Sequence, residues 1–393
     1  MELLVISLIG IGLFFIGKKE YEKHQANIDS IPFRINVNGI RGKSTVTRLI
    51  TAILKEAGYD VIGKTTGTSA RMIYWDTDEE TPIKRRREGP NIGEQKLVVK
   101  EARERGAEAL VCECMAVTPD YQITFQKQLL QANIGVIVNV LEDHMDVMGP
   151  TLDEVADAFL TTIPYDGYLV TIESDYLPLF QEVAAKRNTE VIIAPMEKVE
   201  ENYLRRFDYM IFPDNVALAL GVAQIFNIPR HIALRGMLHA QADPGAMRIH
   251  SYTAPSGNQA NFVNGFAANE PTSTLKIWER LVLLGYPASN PLIIMNCRAD
   301  RVDRTEQFAE DFLPYLSIGT LLVVGEITSP VVEAVEAGNI RVNNMIDLEH
   351  EEISKVIEVI DQHIDGQVVY GVGNIHGVGE ALIGHLIGEE FSL

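Results

Sequence analysis

The chain has 393 residues, enough for two or three domains each with its own core, and its composition is that of a globular protein. A formal charge of −20 excludes a nucleic-acid backbone as the main partner, because nothing offsets phosphate repulsion over most of the surface. Three cysteines, Cys112, Cys114 and Cys297, form neither a disulfide framework nor a CxxC pair, and they read as buried free thiols in a reducing compartment.

In chain order the first feature is "LLVISLIGIGLFFIG", residues 3–17, which carries no charge and is followed at once by "KKEYEKHQ". As a helix the apolar run would span about 23 Å against a hydrocarbon core of roughly 30 Å. It is apolar all round, so residues 1–17 are expected to be a single membrane anchor. Lys18, Lys19 and Lys23 then set the following domains on the cytoplasmic side of the cell membrane. Residues 18–30 read as a linker or as an extension of the helix.

A strand–helix alternation follows. Strands are expected at 33–38, 108–113, 134–140, 168–172 and 190–194, the pattern of a mainly parallel sheet covered on both faces. Between the first two, Val46, Leu49, Ile50, Ile53 and Leu54 recur at helical spacing, and Gly58 ends the run. Asp243-Pro244-Gly245 interrupts the rhythm, which divides a central α/β domain, 31–243, from a smaller Rossmann-like α/β domain, 244–393, with strands near 261–266, 291–296, 321–325 and 367–371.

The chemistry concentrates at "RINVNGIRGKSTVTRLI", residues 34–50, where a strand runs through a glycine turn into a helix. Gly39 and Gly42 let the backbone approach a phosphate, and the amides of the helix N-terminus, with Thr45 in its first turn, then face the anion. Lys43 would reach the β- and γ-phosphates of ATP, and the Ser44 hydroxyl would bind Mg²⁺. Glu113, at the end of one apolar strand, and His144, in "NVLEDHMD" after another, fall at the carboxyl edge where ligands gather in open α/β sheets. They are the remaining candidate metal ligands.

"GIRGKST", "KTTGT" (residues 64–68), the Glu113 strand and "NVLEDHMD" together resemble the central domain of the Mur ligase superfamily, which includes the folylpolyglutamate synthases. The short GxxGK[ST] loop of that superfamily accounts for Val37 standing where a strict P-loop has glycine. "FPDNVALALGVA" is similar to its adenine-side helix, with Asn215; "NGFAANEPTSTL" and "NCRADRVDR" resemble its C-terminal stretches and supply Asn269 and Arg301 as substrate-side candidates. The resemblance implies an ATP- and Mg²⁺-dependent carboxylate–amine ligase working through an acyl phosphate, with Lys43, Glu113 and His144 as catalytic residues. Only about 30 residues precede the loop, too few for a domain that holds a nucleotide-linked precursor. The superfamily's boundary arginine is replaced by Ala246, with Arg248 two places later. The helix expected over 151–163 has no lysine to carry a carbamate, and Phe159 stands about where one would align.

Within the superfamily the chain is similar to the ligase subunits of bacterial poly-γ-glutamate synthases, which implies glutamate and poly-γ-glutamate as ligands and other membrane subunits of a synthase complex as partners, with room for a homo-oligomer. Lys84, Arg85, Arg86 and Arg87 would hold the anionic polymer; a solvated loop is the alternative for that run. Two other functions stand beside this one, a folylpolyglutamate-type γ-glutamyl ligase and an ATP-driven, non-catalytic motor or scaffold subunit of an export complex.

Overall fold

The computed structural model describes residues 2–67, 69–83, 91–143, 145–243, 246–266, 268, 270–364 and 366–387. Lys84, Arg85, Arg86, Arg87, His144 and Asn269 lie outside the described residues. The chain divides into one unit of Met1–Phe207 with Ile211–Ala246 and a second of Asp208–Met210 with Met247–Leu393.

The first unit is built on an eight-stranded sheet of β1 (Phe33–Asn38), β2 (Val61–Lys64), β3 (Arg71–Tyr74), β4 (Thr81–Pro82), β5 (Ala109–Glu113), β6 (Ile134–Ile137), β7 (Tyr168–Thr171) and β8 (Glu190–Ile193). Its order is β4-β3-β2-β5-β1-β6-β7-β8. From β2 to β8 neighbouring strands are parallel, and β3 and β4 add an antiparallel edge. The central strands are buried on both faces, as apolar runs such as Ala109–Cys112 require. Helix α2 (Lys43–Glu56) turns its periodic stripe inward, and Val46, Leu49, Ile50, Ile53 and Leu54 are all buried. This packing leaves the N-terminal turn of α2 at the carboxyl ends of β1 and β5, where the site forms.

Helix α1 (Glu2–Asp29) corrects the expectation of a membrane anchor. Among the described residues no helix is long and apolar enough to cross a membrane. The uncharged stretch stops after 15 residues, at Gly17, and Lys18, Lys19, Glu20, Glu22 and Lys23 continue on the same helix, so among the described residues no window of spanning length stays apolar. The expected placement at the cell membrane, with cytoplasmic domains behind one anchor, falls with it. Residues 18–29 are an extension of the helix, and its last turns dock. His24, Asn27 and Ile28 are buried, His24 Nε2 lies 3.0 Å from the Leu129 carbonyl, and Arg103 on α3 (Glu94–Arg105) donates to Asn27 Oδ1 at 2.7 Å.

The second unit has a six-stranded sheet of β9 (Ile249–Thr253), β10 (Gln259–Asn264), β11 (Leu292–Cys297), β12 (Ile318–Gly325), β13 (Val342–Glu349) and β14 (Val368–Gly373), in the order β13-β12-β11-β14-β10-β9. All of its pairs are parallel except β9 with β10. Phe262, Phe266, Ile294, Val324, Val356 and Leu382 belong to its core.

Candidate active site

The turn from β1 into α2 depends on two glycines. Gly39 has φ 130° and Gly42 φ 86°, both in the region that side chains avoid. A Cβ on Gly42 would lie 2.7 Å from Asn215 Oδ1, and one on Gly39 would lie 3.1 Å from the backbone nitrogen of Asn139. The loop thus has its Cα atoms pressed against two polar residues and its amides at the start of α2, a cradle that any side chain would fill. Asn215, on the helix Pro213–Ile225, therefore stands at the glycine loop.

Asn139 is the brace that sequence reasoning passed over. Its Oδ1 accepts from the Ile40 and Arg41 amides, each at 3.1 Å, and its Nδ2 donates to the Arg41 carbonyl at 2.9 Å. Asn38 Oδ1 accepts from the Gly39 amide at 2.8 Å, and Gln122 fixes that asparagine by accepting from its Nδ2 at 2.9 Å. Arg41 pairs with Asp143 at 3.3 Å. Asparagines at strand ends were visible in the sequence, but their partners lie about 100 residues away and left no local signal.

Ser44 and Glu113 come together as expected. Ser44 Oγ donates to Glu113 Oε2 at 2.9 Å, and the Thr66 amide donates to the same oxygen at 2.7 Å. Glu113 is buried. Lys43 Nζ bonds the carbonyls of Gly39 at 2.7 Å and Ile40 at 2.9 Å. Burial pushes its ammonium below the ordinary range, against the pull of Glu113. Among the described residues no group of three or more His, Cys, Asp or Glu is placed to hold a metal. A hydroxyl and a carboxylate side by side are two hard oxygen donors, which fits a cation that keeps waters and phosphate oxygens as its other ligands.

Lys64 ends β2 beside this pair. It is 2% exposed, and its Nζ meets Met115 Sδ at 3.8 Å. Burial lowers its pKa, while Cys112 and Glu113 raise it. A second buried cation, Arg48 on α2, is also 2% exposed but bonds Glu80 through Nη1 and Asp243 through Nε, the latter at 3.4 Å. All three cysteines are buried free thiols, and burial raises Cys112 to about 12 and Cys114 to about 11, so neither is a thiolate ligand at neutral pH.

The other sequence candidates stand elsewhere. Arg301 is exposed, at the start of the helix Val302–Asp311 in the second unit, and Arg248 pairs with Asp208 at 3.5 Å in that same unit. Phe159 is fully buried on the helix Leu152–Leu160 and packs in the core of the first unit.

A parallel sheet with a glycine turn at its central strand and a hydroxyl–carboxylate pair at the next defines a class of nucleotide-handling α/β protein, and residues 37–240 match the Mur ligase middle domain. Residues 249–389 match the poly-gamma-glutamate synthase CapB C-terminal domain. The chain is 59% identical to the PGA synthase CapB of Bacillus subtilis (strain 168), over 98% of this chain and 97% of that one. It is 58% identical to the capsule biosynthesis protein CapB of Bacillus anthracis, over 98% and 83% respectively. The fold is shared with the bifunctional folylpolyglutamate synthase/dihydrofolate synthase of Yersinia pestis complexed with AMPPNP and Mn, at TM-score 0.60 and 14% identity over 94% of this chain and 93% of that one. The chain belongs to the CapB poly-γ-glutamate synthases of the Mur ligase family.

Proposed function

We propose that the chain is an ATP- and Mg²⁺-dependent amide ligase that extends poly-γ-glutamate through an acyl phosphate. The observation that carries this reading is the Ser44–Glu113 pair at the mouth of the glycine loop, in a chain 59% identical to a PGA synthase. A carboxylate oxygen of the donor attacks the γ-phosphorus of ATP, the bond to the β-phosphate oxygen breaks, and ADP leaves. A glutamate amine then attacks the acyl carbon, the C–O bond to phosphate breaks, and the amine loses a proton to solvent. Folding such a task into one site is mostly positioning and charge neutralisation between anions.

In this reading the amides at the start of α2, with Gly39, Gly42 and Thr45, hold the phosphates, and Asn215 fixes the loop that carries them. Lys43 exchanges its loop carbonyls for the transferring phosphoryl oxygens. Ser44 and Glu113 hold the cation, with His144 as a further ligand, and the bound Mg²⁺ supplies neutralisation of the phosphate charge. Support for ATP and a divalent metal comes from the fold-mate that holds AMPPNP and Mn. Lys84, Arg85, Arg86, Arg87, Asn269 and Arg301 are assigned to glutamyl carboxylates. Residues 31–243 serve as the ATP-binding domain and 244–393 as the smaller α/β domain. Partner subunits of a polymer synthase, and association of like chains, belong to the same reading.

Hydroxylamine added during turnover with ATP, Mg²⁺ and glutamate should trap glutamyl hydroxamate. Lys43→Ala should lower both trapping and ADP release by at least about 1,000-fold, since it removes the cation beside the transferring group. ADP release without hydroxamate, in a preparation containing every needed subunit, would replace the ligase with an ATP-driven motor.

A further inference from the structure

A primary ammonium carries three N–H donors and is strongly hydrated in water. Among the described residues the Lys64 ammonium meets one thioether, a weak acceptor, and no oxygen, although the residue is 2% exposed. A cation left in that state costs folding free energy, and the same unit shows the usual remedy, since equally buried Arg48 has two carboxylates. Lys64 is therefore held against its own stability.

Its position says for what. Lys64 is the last residue of β2, aligned with Cys112 on β5, one residue short of Glu113. Two residues on, the Thr66 amide bonds the Glu113 oxygen that also receives Ser44. The strand order β2-β5-β1 sets Lys64 two strands from the phosphate loop, roughly 10 Å away across the sheet. Lys43 is already inside that loop, so the two ammonium groups serve different anions, with Glu113 between them.

We propose that Lys64 is the binding cation for the carboxylate that becomes phosphorylated, the terminal glutamyl carboxylate of the growing chain. The assignment rests on the ligase reading and adds to it the group that receives the donor. A carboxylate entering beside Glu113 gives the Lys64 N–H donors their oxygen acceptors and carries its own charge into a site that would otherwise repel it.

Lys64→Met keeps the length and removes the charge. Without ligand, its Tm should rise by about 2–4 °C, because an apolar side chain replaces an unpaired buried ammonium. In turnover, hydroxamate trapping should fall at least about 100-fold, the loss expected when one charged donor is removed from a reacting site. With Mg²⁺ and AMPPNP alone the variant should gain the same Tm as the parent. Adding γ-linked triglutamate should raise Tm further in the parent and not in the variant. A variant that unfolds or loses Tm would make Lys64 a structural residue, and a lost AMPPNP shift would make its partner a phosphate; either overturns the assignment. Equal triglutamate shifts in both proteins, or none in the parent, overturn it as well. A parent that shows the triglutamate shift but traps no hydroxamate instead defeats the ligase reading while leaving the carboxylate site in place.

Discussion

Two cations are buried to the same degree in the first unit, and they differ in what surrounds them. Arg48, in the middle of α2, has Glu80 on one nitrogen and Asp243 on another, residues distant in sequence that the fold brings in to neutralise it. Lys64, at the carboxyl edge of the sheet, has a methionine sulfur. The first cation has its counter-charges within the protein; the second meets an oxygen only when something carrying one arrives. Burial by itself therefore does not separate structural from functional charges, whereas the identity of the partners does.

The sharpest way to break the comparison is to empty the Arg48 side of it. Arg48→Met should destabilise by about 3–5 kcal/mol, because it leaves Glu80 and Asp243 without their shared cation, where the matching change at Lys64 stabilises. Urea denaturation of both variants reads the two signs directly, and two changes of the same sign would dissolve the distinction.

A smaller effect is expected at the loop brace. Asn139→Leu leaves the Ile40 and Arg41 amides without an acceptor and should cost about 1–3 kcal/mol, felt as a weaker KM for ATP with the glutamate KM near its parent value. A rise confined to the glutamate KM would mean that Asn139 acts on the carboxylate side with Lys64. The smallest effect is a null one. Phe159 fills the core where a carbamate-bearing lysine would align, so turnover in CO₂-free buffer should match turnover with bicarbonate. A reproducible bicarbonate requirement would identify a lysine that reacts with CO₂, and the buried, oxygen-free environment of Lys64 would have to be read again.

What the sequence disclosed, and what it hid, follows the same line between local and distant causes. Strand β1 matches its expected limits, 33–38, because a short run of apolar and polar residues in turn and a following glycine are written in adjacent residues. The Ser44–Glu113 meeting was also legible, since a strand end and a helix start at one sheet edge converge whatever the loops do. Strand β13, Val342–Glu349, was not: its side chains are mostly exposed at the edge of the second sheet, so its pattern is polar and resembles a loop. The short antiparallel strands β3 and β4 escaped for a related reason, being too brief to show a period. Lys64 opens "KTTGT", but nothing in that pentapeptide says that its ammonium is shut away from water. The run at residues 3–17 misled in the other direction, because composition announced a span that its length could not fill.

Helix α1 has a further consequence for how the protein behaves in a tube. Leu4, Phe14, Phe15 and Ile16 are each more than 60% exposed on a stub that projects beyond the docked turn at His24, while the whole chain carries a charge of −20. Charge repulsion keeps molecules apart over a Debye length, and the stub attracts only on contact. Added salt shortens the first interaction and, with sulfate, strengthens the second. Colloidal stability is thus set by a contest between the acidic surface as a whole and four turns of helix, and it tilts toward the helix as ionic strength rises.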